Sequence, residues 1–392
     1  MSERVKPRIL MITRNLPPLV GGMERLNWNM AEGLSRHADV RIVAPAGAGA
    51  MAPADTAVCE VPLKPLWRFL WSANLAALSE ARSFRPHVIL AGSGLTAPLA
   101  WQAARVSGAA SMAYVHGLDL VVKHPVYRGL WLPAIRRMDR LLANSRATAA
   151  LAVQAGADPA RMSVVHPGVK LPEIFRSDAD VQAFLAGQGL LGRTLLLSVG
   201  RLSERKGLKE FVQHALPRIV KARPDVMLLV AGDVPANALS SRAQLPEHVL
   251  AEAERAGVAA HVRFMGGVSD ETLEILFRSV DAHVFPIRDI AGDPEGFGMV
   301  AIEAAAFGVP TAAFACGGVV DAVSEGRSGR LVAPADYPAL AEAVLDVLAR
   351  RASFRQPCTE FAAQFEWTQF HQRMLSEVTS MLEGMGHVHA AH

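Results

Sequence analysis

The chain has 392 residues, 51% hydrophobic and 20% charged, with a formal net charge of +3. That length favours two or three domains with a large core, and the composition excludes a disordered chain. The charge suits anionic ligands or an anionic membrane surface and gives no ground for a nucleic-acid partner.

The N-terminal stretch MSERVKPRILMIT lacks the long apolar run and cleavage site of a signal peptide. Residues 86–104 carry no fixed charge, but Gly, Ser, Pro and Gln break them into strand, loop and helix, so no membrane span is expected. Cys59, Cys316 and Cys358 are far apart and odd in number. They offer no disulfide framework or zinc spacing, as suits a reducing cytoplasm.

In chain order, the first half gives strands at RILMIT (8–13), VRIVAP (40–45), HVILAG (87–92), SMAYVHG (111–117), RLLANS (140–145) and MSVVHPG (162–168). Helical patterns separate them. Residues 166–180, rich in Pro and turn formers, read as a break between domains. The second half repeats the plan at TLLLSVG (194–200), VMLLVAG (226–232), VRFMGG (262–267), AHVFPI (282–287), TAAFACG (311–317) and GRLVAP (329–334). Apolar runs without alternation indicate parallel strands covered on both faces. Each half therefore reads as a doubly wound α/β domain, 1–175 and 176–366, with a last helix at about 367–383. The three histidines of the tail GHVHAAH read as a frayed terminus.

Ligands of such sheets bind at the carboxyl ends of the strands, so the chemistry is expected in the loops that follow them, in a cleft between the two domains. After the first strand, Gly21 and Gly22 precede an amphipathic helix and suit either an anion or an ordinary helix-entry turn. His116 ends a strand; it is either structural or handles protons and sugar hydroxyls. In RLSERKGL, Arg201 and Lys206 flank a helix entrance and suit a diphosphate, although a solvated turn is the alternative and would also explain Glu204 and Arg205.

The most informative stretch is GDPEGFGMVAIEAAAFGVP (292–310). Gly296 and Gly298 place the helix start near 298, and Gly308 with Pro310 ends it. Glu295 then lies just outside the helix and Glu303 more than a turn inside it. A ligand at the helix entrance could meet both, with the N–H groups of Phe297, Gly298 and Met299 between them. A structural Arg or Lys could equally be the partner of Glu303.

EGFGMVAIE resembles the E-x7-E motif of retaining glycosyltransferases of the GT-B fold, in particular family 4. Further pieces follow in the order of that family: GGMERL, HG (116–117), ANS (143–145), HPGV (166–169), VGRLSERKGL (199–208) and GGVSDETL (266–273). GDPEGFGMV and VYRGLW look most similar to the phosphatidyl-inositol mannosyltransferase branch.

The resemblance implies two Rossmann-like domains facing across a cleft, with the last helix (367–392) crossing back to the first. It implies that Gly22, with Gly21 beside it, contacts the donor diphosphate and that Arg201 and Lys206 hold it. Glu295 would bind the hydroxyls of the donor sugar, with backbone from Gly296, Phe297, Gly298, Met299 and Val300. Glu303 would bind the ribose, the base would lie near Gly267 and Val268, and His116 would lie by the reaction centre. Val320 and Asp321 stand where the family often has Pro-Glu.

The expected reaction is transfer of a mannose- or glucose-type hexose from a GDP- or UDP-linked donor to a lipid-linked or glycan acceptor. Front-side attack would retain configuration, with no metal and no further cofactor. Asp178 and Asp180 form a D-x-D that reads as a helix cap. Two rivals stand beside this reading. One is a dinucleotide-dependent oxidoreductase, from Gly92, Gly94 and Ala97 after a strand, though the acidic residue expected about 20 positions on is absent and Asp119 is a poor substitute. The other is a non-catalytic sugar-nucleotide sensor. Residues 61–78, with Lys64, Trp67, Arg68, Phe69 and Trp71, suit an anionic membrane interface or a buried helix with a rim. A cytoplasmic protein is the expected setting, peripheral on the inner face of the plasma membrane where residues 61–78 serve as the interface.

Overall fold

The computed structural model describes residues 6–172, 177–234 and 243–384. It divides into two compact units, one of Met1–Gly168 with Trp367–His392 and one of Val169–Glu366.

The first unit is built on a seven-stranded sheet: β1 (Arg8–Ile12), β2 (Asp39–Pro45), β3 (Thr56–Val61), β4 (Val88–Ala91), β5 (Ala110–Val115), β6 (Arg140–Ala143) and β7 (Met162–Val164). The spatial order is β3-β2-β1-β4-β5-β6-β7, every pair parallel. Ile9, Leu10, Met11 and Ile12 are all fully buried. Continuous apolar strands of this kind need helices on both faces.

Helix Gly22–Ser35 supplies part of one face through Leu26, Met30 and Leu34, spaced by one turn. Helix Trp367–Gly384 brings Phe370, Met374, Val378 and Leu382 into the same cluster. The last helix is thus core to the first unit. Its entry is tight, since a Cβ on Gly168 would lie 2.3 Å from Cε3 of Trp367.

The second unit holds a six-stranded parallel sheet: β8 (Thr194–Val199), β9 (Val226–Ala231), β10 (Val262–Gly266), β11 (Ala282–Phe285), β12 (Thr311–Phe314) and β13 (Gly329–Val332). Its order is β10-β9-β8-β11-β12-β13. In both sheets the order reverses once, between β1 and β4 and between β8 and β11. That reversal opens a crevice at the carboxyl ends, where such folds take ligands.

Among the described residues, β3 is the one strand that the sequence reading lacks. It pairs only with β2, at the sheet edge, and most of its side chains are half-buried or exposed. Its sequence TAVCEV therefore shows no solid apolar run. Helix Asp178–Gly187 follows an N-cap at Ser177, and Asp180 completes a capping box with it, so this aspartate of the D-x-D secures a helix start. The histidines of the tail lie outside the described residues.

Candidate active site

In the second unit the loops after β8 and β11 converge. β8 leads into Gly200 and Arg201, then a single turn at Glu204–Lys206. Gly207 turns the chain with φ of +68°, and a Cβ there would lie 2.1 Å from the carbonyl oxygen of Pro286. Only a glycine permits that approach. The turn sets Lys206 over the end of β11, its Nζ 4.8 Å from the centroid of the Phe285 ring.

Lys206 Nζ donates to Glu295 Oε2 at 3.0 Å. Arg205 Nε lies 3.7 Å from the same oxygen, and Arg205 Nη1 lies 3.5 Å from Asp293 Oδ1 and donates to the carbonyl of Pro294 at 2.6 Å. Arg201 adds a third, exposed cation that the Glu295 carboxylate feels. Three cations against the two carboxylates of Glu295 and Asp293 leave one net positive charge.

That excess shows in the titration of the pair. Burial pushes the Glu295 carboxyl up, but Arg205, Lys206 and Arg201 outweigh it and hold the group at about 2. Burial lowers the Lys206 pKa, Arg205 and Arg201 push the same way, and Glu295 offsets only part of that lowering. The carboxylate feels three cations, and Lys206 shares that carboxylate with Arg205 and Arg201. An incoming anion would correct this. His283, fully buried beneath, is held down to about 3 by burial and by Lys206, which keeps it neutral.

Glu295 leads through Gly296 and Phe297 to Gly298, whose φ of +93° starts helix Met299–Ala306. This loop rests on Gly317 and Gly318. Gly318 N donates to the carbonyl of Glu295 at 2.9 Å, and a Cβ on Gly318 would lie 2.0 Å from the carbonyl oxygen of Gly296. Met299 and Val300 are half-buried in the first turn, and Glu303 is buried one turn further. Gly267 and Val268 follow β10, and a Cβ on Gly267 would lie 2.0 Å from Asp233 Oδ2.

In the first unit, the loop after β1 carries Arg14, Asn15 and Gly21, and Glu24 lies in the first turn of the helix that follows. Asn15 Nδ2 donates to Glu24 Oε1 at 2.6 Å, and a Cβ on Gly21 would lie 2.4 Å from Glu24 Oε2. Arg14 is buried, and burial lowers its pKa against the pull of Glu24. Gly22 opens the helix.

His116 follows β5 directly. Its Nε2 lies 3.1 Å from the carbonyl oxygen of Gly92. A carbonyl only accepts, so Nε2 carries the proton, and in the neutral ring Nδ1 is left as an acceptor.

Two comparisons of sequence accord with this architecture. The description Glycosyltransferase Family 4 matches residues 20–172, and Glycosyl transferases group 1 matches residues 186–365. Its two units are glycosyltransferase domains of family 4 and group 1.

D-inositol 3-phosphate glycosyltransferase 2 of Catenulispora acidiphila is 37% identical to the chain over 238 residues, 59% of this chain and 53% of that protein. The chain spans about half the length of the curated relatives it matches. Among solved structures, HepE of Anabaena in complex with UDP-glucose superposes with a TM-score of 0.75 at 18% identity, over 95% of this chain and 99% of that one. Sucrose-phosphate synthase of Thermosynechococcus elongatus gives 0.78 at 20% identity, over 97% and 100%. These likenesses place the fold in the GT-B class.

Within the group 1 domain the structure gathers Arg201, Lys206, Glu295 and the backbone of Gly296–Met299 at the β8/β11 crevice. It pairs Lys206 with Glu295 directly. It also adds Arg205, which the sequence reading left to a solvated turn. The triplet Glu204-Arg205-Lys206 hides it, because nothing in the spacing says which basic residue turns inward.

In the family 4 domain, Asp119 gains a role that argues against the dinucleotide rival. Its Oδ2 accepts from Gly94 N at 3.1 Å and from His116 N at 3.0 Å. A Cβ on Gly94 would lie 2.5 Å from Asp119 Cβ. The N–H that would cradle a pyrophosphate already faces a carboxylate.

The Glu295 pKa carries a prediction for the group 1 domain. A carboxyl depressed from 4.5 to about 2 on folding stabilises the protein above pH 4.5, and that contribution is lost as pH falls towards 2. The loss is on the order of 3 kcal/mol. Urea unfolding across pH 5 to 3 should show part of it, and Glu295→Gln should flatten the profile in that window. An unchanged slope in the variant would remove Glu295 as its source.

Proposed function

We propose that the protein transfers a hexose from a nucleotide diphosphate sugar to an acceptor, with retention and without a metal ion. The observation that carries this is the cation excess at the β8/β11 crevice, where Arg201, Arg205 and Lys206 meet Glu295 beside a helix start.

The bond from the anomeric carbon to the diphosphate oxygen breaks, and negative charge grows on the leaving group. Arg201, Lys206 and the N–H groups of Phe297, Gly298 and Met299 stabilise that charge where it forms. Glu295 orients the sugar hydroxyls, Glu303 the ribose, and Gly267 and Val268 flank the base. The acceptor oxygen bonds to the anomeric carbon on the face the diphosphate leaves, and its proton passes to the departing phosphate. In the family 4 domain taken by itself, Gly21 and Gly22 suit an anion at the helix entrance, and the Nδ1 of His116 is an acceptor for a sugar hydroxyl.

Both GDP and UDP donors are consistent with this site; the UDP-glucose complex of HepE supports the second. The test is incubation of the purified protein with radiolabelled GDP-mannose or UDP-glucose and candidate acceptors in excess EDTA. Label should move to an acceptor and the new linkage should keep the donor's anomeric configuration. Activity lost to EDTA and restored by magnesium or manganese would overturn the metal-free reading.

We place the acceptor at a membrane, as a lipid-linked sugar or glycan. Helix Leu66–Phe84 buries Phe69, Ala73, Ala77 and Ala81 and turns Trp67, Trp71 and Leu75 outward, 70%, 65% and 52% exposed. Phe69, expected beside the tryptophans at the headgroups, is instead core. Lys64 and Arg68 are exposed beside the stripe. Each basic residue adds on the order of 1 kcal/mol at an anionic surface, screened by salt. Cosedimentation with anionic vesicles should fall with added salt and fall further in Trp67→Ser/Trp71→Ser. No binding at low salt would remove the membrane.

The relatives' name supports a second acceptor, an inositol phosphate. Transfer to D-inositol 3-phosphate without vesicles would favour it.

A further inference from the structure

A cavity of about 610 Å³ opens at the opposite edge of the first sheet, by the N-terminal ends of β5 and β6. Helix Ala97–Ser107 and the last turns of helix Trp367–Gly384 complete its wall. It therefore lies on the far side of the sheet from His116, Gly21 and Gly22, and shares no residue with the site described above.

Its lining includes Trp101, Arg105, Arg137, Arg140, Ser111 and Asp139. Asp139 is already engaged, accepting from Ser111 N at 2.8 Å and Ser111 Oγ at 2.7 Å. Arg140 Nε lies 3.4 Å from Glu377 Oε2, and that buried nitrogen makes no hydrogen bond. Arg105 and Arg137 hold their guanidinium carbons 5.8 and 5.7 Å from the centroid of the Trp101 ring. Both are exposed, and neither has an ion pair among the described residues. Three guanidiniums against the carboxylates of Asp139 and Glu377 leave one net positive charge around the space.

We propose that this cavity binds a small phosphorylated molecule, with its phosphate on the guanidinium groups of Arg105, Arg137 and Arg140 and its ring against Trp101. Guanidinium forks match phosphate oxygens in pairs, which a single ammonium does not. The volume falls within the range of small-ligand sites, about 300–1,000 Å³, and exceeds what inorganic phosphate alone would fill. An indole face accepts either a sugar or a base beside the phosphate. Arg105 and Arg137, resting on that indole, are pre-positioned, so little order is lost on binding.

Isothermal titration calorimetry with glucose 6-phosphate, UMP and inorganic phosphate tests this on the full chain and three variants. Glucose 6-phosphate or UMP should bind the wild type more tightly than inorganic phosphate. Arg105→Ala and Arg137→Ala should each weaken the Kd about tenfold, as the loss of one charged contact predicts. Lys206→Ala should leave the glucose 6-phosphate binding unchanged, which separates the cavity from the donor crevice. The same phosphate chemistry is offered by lipid headgroups, so vesicles containing phosphatidic acid form a further arm. The proposal fails if neither organic phosphate binds at millimolar concentration. It fails equally if binding is lost in Lys206→Ala but kept in both arginine variants, or if the arginine variants change vesicle binding alone.

Discussion

Lys206→Ala is expected to lower turnover by about 10²–10³-fold at saturating donor, the usual cost of removing one donor to a developing oxyanion. The same change should weaken UDP or GDP binding, because the ammonium is one of three cations at the crevice. Glu295→Ala should behave differently, and the ion pair explains why. Removing the carboxylate leaves Lys206 and Arg205 buried with one neutralising group fewer. Breaking such a pair from one side costs about 3–5 kcal/mol of stability. A bound diphosphate replaces the missing charge, so UDP or GDP should raise the melting temperature of Glu295→Ala more than that of the wild type. Turnover should still be lost, since the sugar is no longer oriented. Thermal shift with UDP and GDP on both variants, beside the transfer assay, reads all four effects. Normal turnover in either variant would remove it from the site. A Glu295→Ala protein that gains nothing from nucleotide would break the charge argument while leaving the ion pair intact.

The sequence carried the fold through its strands, because a parallel sheet covered on both faces demands unbroken apolar runs. TLLLSV and VMLLVA have no other economical reading. β3 escaped for the converse reason, as an edge strand with mixed burial. The loops were legible in position but not in pairing. That Glu295 follows a strand and precedes a helix can be read from its glycines. That it meets Lys206, 89 positions earlier in the chain, depends on the β8–β11 neighbour relation, which no local pattern encodes. Arg205 shows the limit most clearly. Arg205 and Lys206 are adjacent cations on one turn, and only the φ of Gly207 and the approach to Pro286 decide that both side chains face the carboxylate. Trp67 and Phe69 show the same limit on a helix. Two residues apart, they fall on opposite faces, one exposed and one core. The alternation of aromatic and basic residues in that stretch masks the helical period.

The backbone that supports Glu295 gives the second large effect, from a residue with no side chain. Gly318→Ala places a methyl 2.0 Å from the carbonyl oxygen of Gly296 and 2.6 Å from the Cα of Phe297. Both obstacles are backbone, so no rotamer change relieves them, and the loop carrying Glu295 has to move. The φ of Gly318 is −75°, a conformation open to alanine, so the effect is steric and not one of backbone preference. Overpacking of this kind costs about 1–3 kcal/mol. A shift of about 1 Å in a positioning loop can cost on the order of 10² in rate. Turnover should therefore fall about 100-fold although residue 318 lies beyond the ligand-facing backbone. Gly257→Ala is the control. Its φ is +70° with open space around the position, so alanine there is strained but displaces nothing. It should lose about 1 kcal/mol of stability and keep its turnover. If Gly318→Ala and Gly257→Ala lose stability alike and both keep full activity, the loop is free to adjust and the close approach of Gly318 to Gly296 does not set the site.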